Sequence, residues 1–199
     1  MIHVAELLQQ AQPMLNEVVG RIRDDQWSIR LPALLDVPGY DTPRSMRSAV
    51  AQLVRADTRI PDLLAGRTPT DPDGDPLGED AHAAVVRQAE LAGRAAGEVT
   101  DGDAVVHESG GDSTAADLLW RTVLARSFLA HDIAMNLGSR ACPLPENLAR
   151  PLWEGTADEA GRWRERGYFR EPLTPVPDDV SWRDRFLMAA GRDPHPWSH

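Results

Sequence analysis

The stretch that decides the fold runs from Asp112 to Gly138 and reads DSTAADLLWRTVLARSFLAHDIAMNLG. Thr114 is a typical N-cap residue, and Asp117 places a carboxylate in the first turn, where the helix dipole favours negative charge. Gly138 is the residue type that accepts the left-handed conformation at a helix end. Apolar residues occur nearly all round the helix between them, which at about 24 residues spans about 36 Å. This pattern is typical of a helix buried on several sides, and it predicts the central helix of a bundle.

Three other long helices are predicted from apolar residues at helical spacing, over residues 3–24, 43–58 and 79–99. Pro13 is expected to kink or divide the first of them, because a proline inside a helix removes one hydrogen bond. Thr42 and Pro43 form an N-cap and N1 pair that predicts the start of the second. A short extended piece is predicted at residues 104–107. The predicted fold class is all-α, with a four-helix bundle over residues 1–140.

The C-terminal part, residues 141–199, differs in character from the rest and is predicted to be an appendage packed on the bundle, within a single domain overall. Short helices are predicted over residues 145–153, 157–166 and 181–190, the last capped by Ser181. This part is rich in large aromatic side chains, which we expect to be buried against the bundle: Trp153, Trp163, Phe169, Trp182, Phe186 and Trp197.

Composition limits the partners of the protein. The 199 residues carry a formal net charge of −10, which argues against nucleic acid and anionic membranes as partners, since both require a basic surface. No stretch has the apolar length of a membrane span, and no signal peptide is evident, so we expect a soluble cytoplasmic protein. Cys142 is the single cysteine, which excludes an internal disulfide and a thiolate zinc cluster.

Three stretches carry a resemblance to a known family. They are Met46–Val54, with its apolar spacing, Asp132–Gly138, which ends the central helix, and Arg164–Pro194, which contains Arg-x-x-Gly-x-Phe, Val-Pro-Asp-Asp and Gly-Arg-Asp-Pro. Together they resemble the DinB/YfiT-like superfamily, and more closely the actinobacterial proteins related to the N-terminal domain of mycothiol-dependent maleylpyruvate isomerase. The resemblance implies a four-helix bundle, a small-molecule substrate and a possible thiol cosubstrate such as mycothiol.

The metal-binding members of that family hold a divalent cation with a His on the second helix and a Glu-x-x-x-His on the central helix. The matching positions here are Gln52, Ala125 and Leu129. Alanine and leucine have no donor atom, and an amide is a weak ligand for zinc or nickel. We therefore predict no bound metal and no other cofactor. His131 does not replace these ligands, because two residues further along a helix the side chain points about 200° away.

The face of the central helix that carries the family's metal is expected to present Leu118, Thr122, Ala125, Leu129, Asp132 and Asn136. Two interpretations stay open: an apolar small-molecule cavity with a few polar anchors, or a former site that has filled with packed core. The predicted ligand-binding residues are Gln52, Thr122, Arg126, Leu129 and Asn136. For Gln52 the alternative is a solvent-facing amide, and for Arg126 it is a side chain that extends to the surface or pairs with an acid such as Asp132.

Two hypotheses for the function follow. The first is a metal-independent enzyme or ligand-binding protein of the maleylpyruvate isomerase-like family, in which Asp132 and His131 act as acid–base residues. The resemblance implies a place in specialised metabolism for such a protein. The alternatives for these two residues are an Asp132–arginine pair and a histidine satisfied within a helix interface. The second hypothesis is a non-catalytic binding or scaffold protein that forms a homodimer through a helix face.

Overall fold

The central helix, α4, extends over Ala115–Asn136 in a computed structural model that describes residues 4–38, 40–70, 73–139, 143–177 and 179–195. The hydroxyl of Thr114 accepts a hydrogen bond from the Asp117 N–H at 3.1 Å, and Gly138 has φ +81°, so both predicted ends are confirmed. Every residue from Val123 to Met135 is buried. The all-round apolar character of α4 therefore reflects burial on all its sides.

The protein is mostly helical. The described residues form seven α-helices, with bounds α1 Val4–Gly20, α2 Met46–Leu64, α3 Ala81–Gly97, α4 Ala115–Asn136, α5 Glu146–Thr156, α6 Ala160–Glu165 and α7 Trp182–Ala189. Helix α1 packs against α3 and α4, and α2 packs against the same two helices. The core lies between these four long helices, because each turns its buried apolar stripe towards its neighbours.

Two helices differ from their predicted bounds. Helix α1 continues through Pro13 without division. Pro13 lies on the exposed side of the helix, and Ala11 and Met14 lie on the buried side. Helix α2 starts at Met46 with Ser45 as its N-cap and continues through Pro61 to Leu64. The predicted start at Thr42 and Pro43 and the predicted end at residue 58 are therefore both wrong. The helix starts later than predicted because the preceding residues pair with β1, and the N–H of Met46 still donates to the Ile29 carbonyl at 2.8 Å.

Two small antiparallel sheets complete the helical frame. Strand β1, Arg30–Leu31, pairs with β2, Arg44–Ser45, directly before α2. Strand β3, Val105–Glu108, pairs with β4, Gly111–Thr114, in a hairpin that leads into α4. The predicted extended piece corresponds to β3, whereas β4 was not predicted because its residues, GDST, are typical of turns and helix caps.

The C-terminal segment contacts the long helices. Helix α5 contacts α1 and α7. The ring of Phe128 on α4 stacks on Phe186 at 5.7 Å between centroids and meets Phe169 edge-on at 6.1 Å. Trp163 is also buried, but Trp182 is 38% exposed, so the expectation that it is buried is wrong. Its ring lies under the guanidinium groups of two arginines, Arg150 and Arg185, instead. Trp153 is partly buried, and Trp197 and Cys142 lie outside the described residues.

Gly167 fixes one backbone contact between this segment and the loop that follows β1. Its carbonyl accepts a hydrogen bond from Asp36 N at 2.8 Å, and its φ is +77°. A Cβ at this position would lie 2.5 Å from the Asp36 carbonyl oxygen. Only glycine fits here, because the position combines a left-handed backbone with contact too close for a methyl group.

Among the described residues, no helix combines the length and the apolar character that crossing a lipid bilayer requires.

Candidate functional site

Leu129, the position on α4 that the resemblance aligns with a metal-binding histidine, is packed. Leu129 has no exposed surface. Beside it lies a narrow cleft of about 10 Å³, lined also by Gln52 and Asp132. A volume of that size holds about one water molecule. At Leu129 the interpretation as filled core therefore describes the structure better than the interpretation as a ligand cavity.

One turn earlier on α4 the same face opens into a larger cavity of about 200 Å³, which we call the inner chamber. It lies between α2 and α4, and two tyrosines from loops, Tyr40 and Tyr168, complete its wall. Its apolar lining is Leu35, Leu53, Ala56, Leu118 and Ala125, and its polar lining is Tyr40, Asp57, Arg59, Glu108, Arg121, Thr122 and Tyr168. An apolar wall with a few converging polar groups is the usual make-up of a small-molecule site.

Asp57, one of the residues that line the inner chamber, belongs to a buried ion pair. Arg126 Nη2 on α4 lies 2.7 Å from Asp57 Oδ2 on α2, and both side chains are almost fully excluded from solvent. Burial raises the pKa of the Asp57 carboxyl, and the Arg126 guanidinium opposes that shift. Asp57 Oδ1 has no hydrogen-bond partner among the described residues. A buried acceptor of this kind in a cavity wall is a natural anchor for a polar group.

Tyr40 and Arg121 give the chamber two firm donors. Burial, together with the charge of Asp57, raises the pKa of Tyr40 to about 12, so its phenol stays protonated at neutral pH. Burial alone would lower the pKa of Arg121, but hydrogen bonds to Glu108 and Tyr168 raise it. The Arg121 guanidinium also donates to Ser113 Oγ at 3.0 Å, which fixes its position against the β3–β4 hairpin.

Asp132 is paired with an arginine from another element, as one of the sequence alternatives proposed. Its Oδ1 lies 3.6 Å from Arg192 Nε in the C-terminal segment, and both side chains are buried. Arg192 also donates to the Leu34 carbonyl, and its guanidinium carbon lies 3.7 Å from the centre of the Phe128 ring. Burial lowers the pKa of Arg192 to about 10, which leaves it charged at neutral pH. This pair locks the C-terminal segment onto α4.

His131 points away from both cavities, as the helical geometry predicted. Its ring is 3% exposed, and Nε2 lies 3.1 Å from the Asp193 carbonyl oxygen. Burial lowers the pKa of His131, and the neighbouring Asp132 charge opposes that shift. His131 lines neither the cleft nor the inner chamber. The catalytic roles of His131 and Asp132 stay predictions, and the structure does not bring the two side chains together on one cavity.

The structure divides the predicted ligand-binding residues between different places. Gln52 is only partly exposed, faces the cleft and accepts a hydrogen bond from Arg44, so it is not a purely solvent-facing amide. Thr122 lines the inner chamber and donates to the Leu118 carbonyl at 2.9 Å. Arg126 is paired with Asp57 and not with Asp132. Asn136 is exposed and donates to the Asp132 carbonyl, away from both cavities.

Sequence reasoning missed Asp57, although a signal was present. Asp57 follows Leu53 by four positions and Val54 by three, and it precedes Ile60 by three, so it lies on the apolar stripe of α2. An acidic residue on the apolar stripe of a helix predicts a buried cationic partner, and Arg126, within the apolar run of α4, is that partner. Tyr40 and Tyr168 come from loops far apart in the chain, and no local pattern predicts that they meet.

Among the described residues, no group of three or more His, Cys, Asp or Glu side chains is arranged to hold a metal ion. Comparison with known proteins gives no match to a family model, to a curated protein or to a solved structure. The resemblance to the DinB/YfiT-like superfamily therefore stays a prediction from the three quoted stretches.

Proposed function

We propose that this chain is a four-helix-bundle protein of the DinB/YfiT-like type that binds a small organic molecule in the inner chamber without a metal ion. The observation that carries the proposal is the chamber itself, a cavity of about 200 Å³ with an apolar wall and the buried acid Asp57 among its lining residues. The side chains at the family's ligand positions, Gln52, Ala125 and Leu129, support the metal-free part, because the last two lack donor atoms.

Binding is favoured over catalysis by the placement of the candidate acid–base residues. His131 is directed at the C-terminal segment, and Asp132 faces a cleft too small for more than about one water molecule. A reacting group must lie within hydrogen-bond reach of its acid or base, and neither side chain lines the chamber. Among the described residues, the large exposed apolar side chains belong to four different segments of the chain, and the scaffold hypothesis stays the second candidate: Leu91, Val105, Leu173 and Trp182.

The test uses toluene and phenol as probes, because each is small enough for a chamber of this size. Binding is measured by saturation-transfer NMR on the wild type and on Ala125→Phe, which fills the chamber. Ala49→Leu is the matched control, since Ala49 is also buried but lines the narrow cleft. We expect both probes to bind the wild type and Ala49→Leu, and to lose binding in Ala125→Phe.

Two results would contradict the proposal. Equal probe binding in Ala125→Phe and in the wild type would place the probes elsewhere. Thermal stabilisation by zinc or nickel that a chelator reverses would remove the metal-free part of the proposal.

A further inference from the structure

One carboxylate oxygen of the inner-chamber lining is buried and lacks a hydrogen-bond partner. Arg126 binds Oδ2 of Asp57 at 2.7 Å, whereas Asp57 Oδ1 has no partner among the described residues. Asp57 lines the chamber and Arg126 does not. The oxygen that Arg126 leaves unbound is therefore the polar atom that Asp57 offers to the chamber. A buried acceptor without a partner costs free energy, which a donor in the chamber would recover.

Other polar groups of the lining already have partners within the protein. The hydroxyl of Thr122 donates to the Leu118 carbonyl at 2.9 Å. Oε2 of Glu108 accepts hydrogen bonds from the Ser113 hydroxyl, at 2.8 Å, and from the Arg121 guanidinium. Asp57 Oδ1 is thus the acceptor in this lining at which a new hydrogen bond gains most.

The surroundings of Asp57 favour an uncharged donor over a charged one. Its carboxylate already forms an ion pair with Arg126, and both side chains are almost fully excluded from solvent. A ligand ammonium would bring a third charge into this interior, where desolvation is costly. A ligand carboxylate has no proton to donate and would face the negative charge of Asp57. A hydroxyl donates without adding charge, and its own oxygen can accept from Tyr40, a protonated phenol in the same lining.

We infer that the ligand of this protein is an uncharged apolar compound with a hydroxyl group, which donates a hydrogen bond to Asp57 Oδ1 while the apolar body packs against the chamber wall. The inference rests on the proposed function, because it needs the chamber to bind the apolar part. It adds the functional group that the ligand carries and the atom that holds it.

The experiment compares phenol with toluene, which has nearly the same size and shape but a methyl group in place of the hydroxyl. Affinities are measured by NMR chemical-shift titration of the wild type. A hydroxyl buried without an acceptor should weaken binding of phenol about tenfold relative to toluene, because its hydrogen bonds to water are lost. We expect phenol to bind at least as tightly as toluene, since Asp57 Oδ1 replaces those bonds.

A double variant, Asp57→Leu with Arg126→Met, removes the acceptor and both charges together. The readout is the ratio of the phenol and toluene affinities within one variant, so a general change in affinity cancels. We expect the ratio to shift about tenfold towards toluene. Asp62→Leu with Arg67→Met is the matched control, because it makes the same two substitutions in a more exposed Asp–Arg pair, and neither residue lines the chamber. It should keep the wild-type ratio.

A crystal structure of the wild type with 4-bromophenol tests the same contact without a substitution. The bromine orients the ring by its anomalous signal, and we expect the phenol oxygen within hydrogen-bond distance of Asp57 Oδ1. An oxygen bound elsewhere in the chamber would overturn the inference.

Two further results would overturn the inference while toluene binding left the chamber standing. One is binding of phenol tenfold more weakly than toluene to the wild type, and the other is an unchanged ratio in the Asp57 double variant. Tighter binding of benzylammonium than of benzyl alcohol would contradict the uncharged class. Binding of neither phenol nor toluene to the wild type would overturn the proposed function as well.

Discussion

Arg126 on α4 and Asp57 on α2 form an ion pair, 2.7 Å between Nη2 and Oδ2, with both side chains almost fully excluded from solvent. The pair joins two of the long helices, and its acid lines the inner chamber. Asp57→Asn should destabilise the protein by about 3–5 kcal/mol, because it leaves the arginine charged and buried without its partner. Asp57→Leu combined with Arg126→Met should recover most of that loss, since it removes both charges.

The measurement is a double-mutant cycle by urea unfolding. The exposed pair Arg150–Glu154 on α5 is the control, and its removal should change the unfolding free energy by less than about 1 kcal/mol. A single substitution at Asp57 that costs no more than this control would show that the interior around the pair is wet.

Leu129→Asp tests whether the position that the resemblance aligns with a metal ligand is packed core. Leu129 has no exposed surface, so a carboxylate there would be buried without a base, at a cost of several kcal/mol. Leu91→Asp on α3 is the matched control, because Leu91 is 38% exposed. We expect a loss below about 1 kcal/mol for it in denaturant titration. Similar small losses for both variants would mean that Leu129 faces an open pocket.

Alanine substitutions at Gly167 and Gly66 separate the cost of a left-handed backbone from the cost of a close contact. Both have positive φ, +77° and +68°, but a Cβ would clash with the Asp36 carbonyl only at Gly167. Gly66→Ala should cost about 1–2 kcal/mol for the left-handed conformation alone. Gly167→Ala should cost a further ~1–3 kcal/mol, because the chain must move to fit the methyl group. Thermal or urea unfolding measures both, and equal losses would show that the loop after β1 yields to the methyl group without cost.

The stability of the protein should depend on pH through His131. Burial lowers its pKa in the folded protein, whereas the unfolded chain keeps a value of about 6.5. As the pH falls below about 6.5, the unfolded state therefore takes up the proton first, and stability is lost until the folded pKa is reached. Between pH 7 and pH 5, urea unfolding should show a steeper loss for the wild type than for His131→Gln. A wild-type slope in His131→Gln would contradict the prediction.

The parts of the fold that follow from local patterns could be predicted from the sequence. Three features depend only on α4 and its two ends, and all three are observed. They are the cap at Thr114, the turn at Gly138 and the direction of His131 away from the face that carries Leu129. The start of α2 could not be predicted in the same way. The Thr42–Pro43 signal is local, but pairing of β1 with β2 and the bond from Met46 N to Ile29 decide where the helix begins.

The candidate site was predicted only in part for a related reason. Thr122 lines the inner chamber, on the α4 face that helical periodicity defines. The position of the cavity along that face depends on side-chain volumes, because Leu129 of α4 fills one end and the loop residues Tyr40 and Tyr168 line the other. The Asp132–Arg192 pair was expected in kind, but its arginine lies 60 residues away, and no local pattern identifies it.

Arg192 reaches back to the carbonyl of Leu34, early in the chain, and to the carboxylate of Asp132 in its middle. Synthesis proceeds from the N-terminus, so the long helices leave the ribosome well before this arginine is translated. Until the C-terminal segment has been translated, Phe128 and Asp132 lack the partners that cover them in the folded protein, which are Phe169, Phe186 and Arg192. A nascent chain that pauses before residue 192 therefore presents an incomplete core, which is where we expect quality control to recognise it.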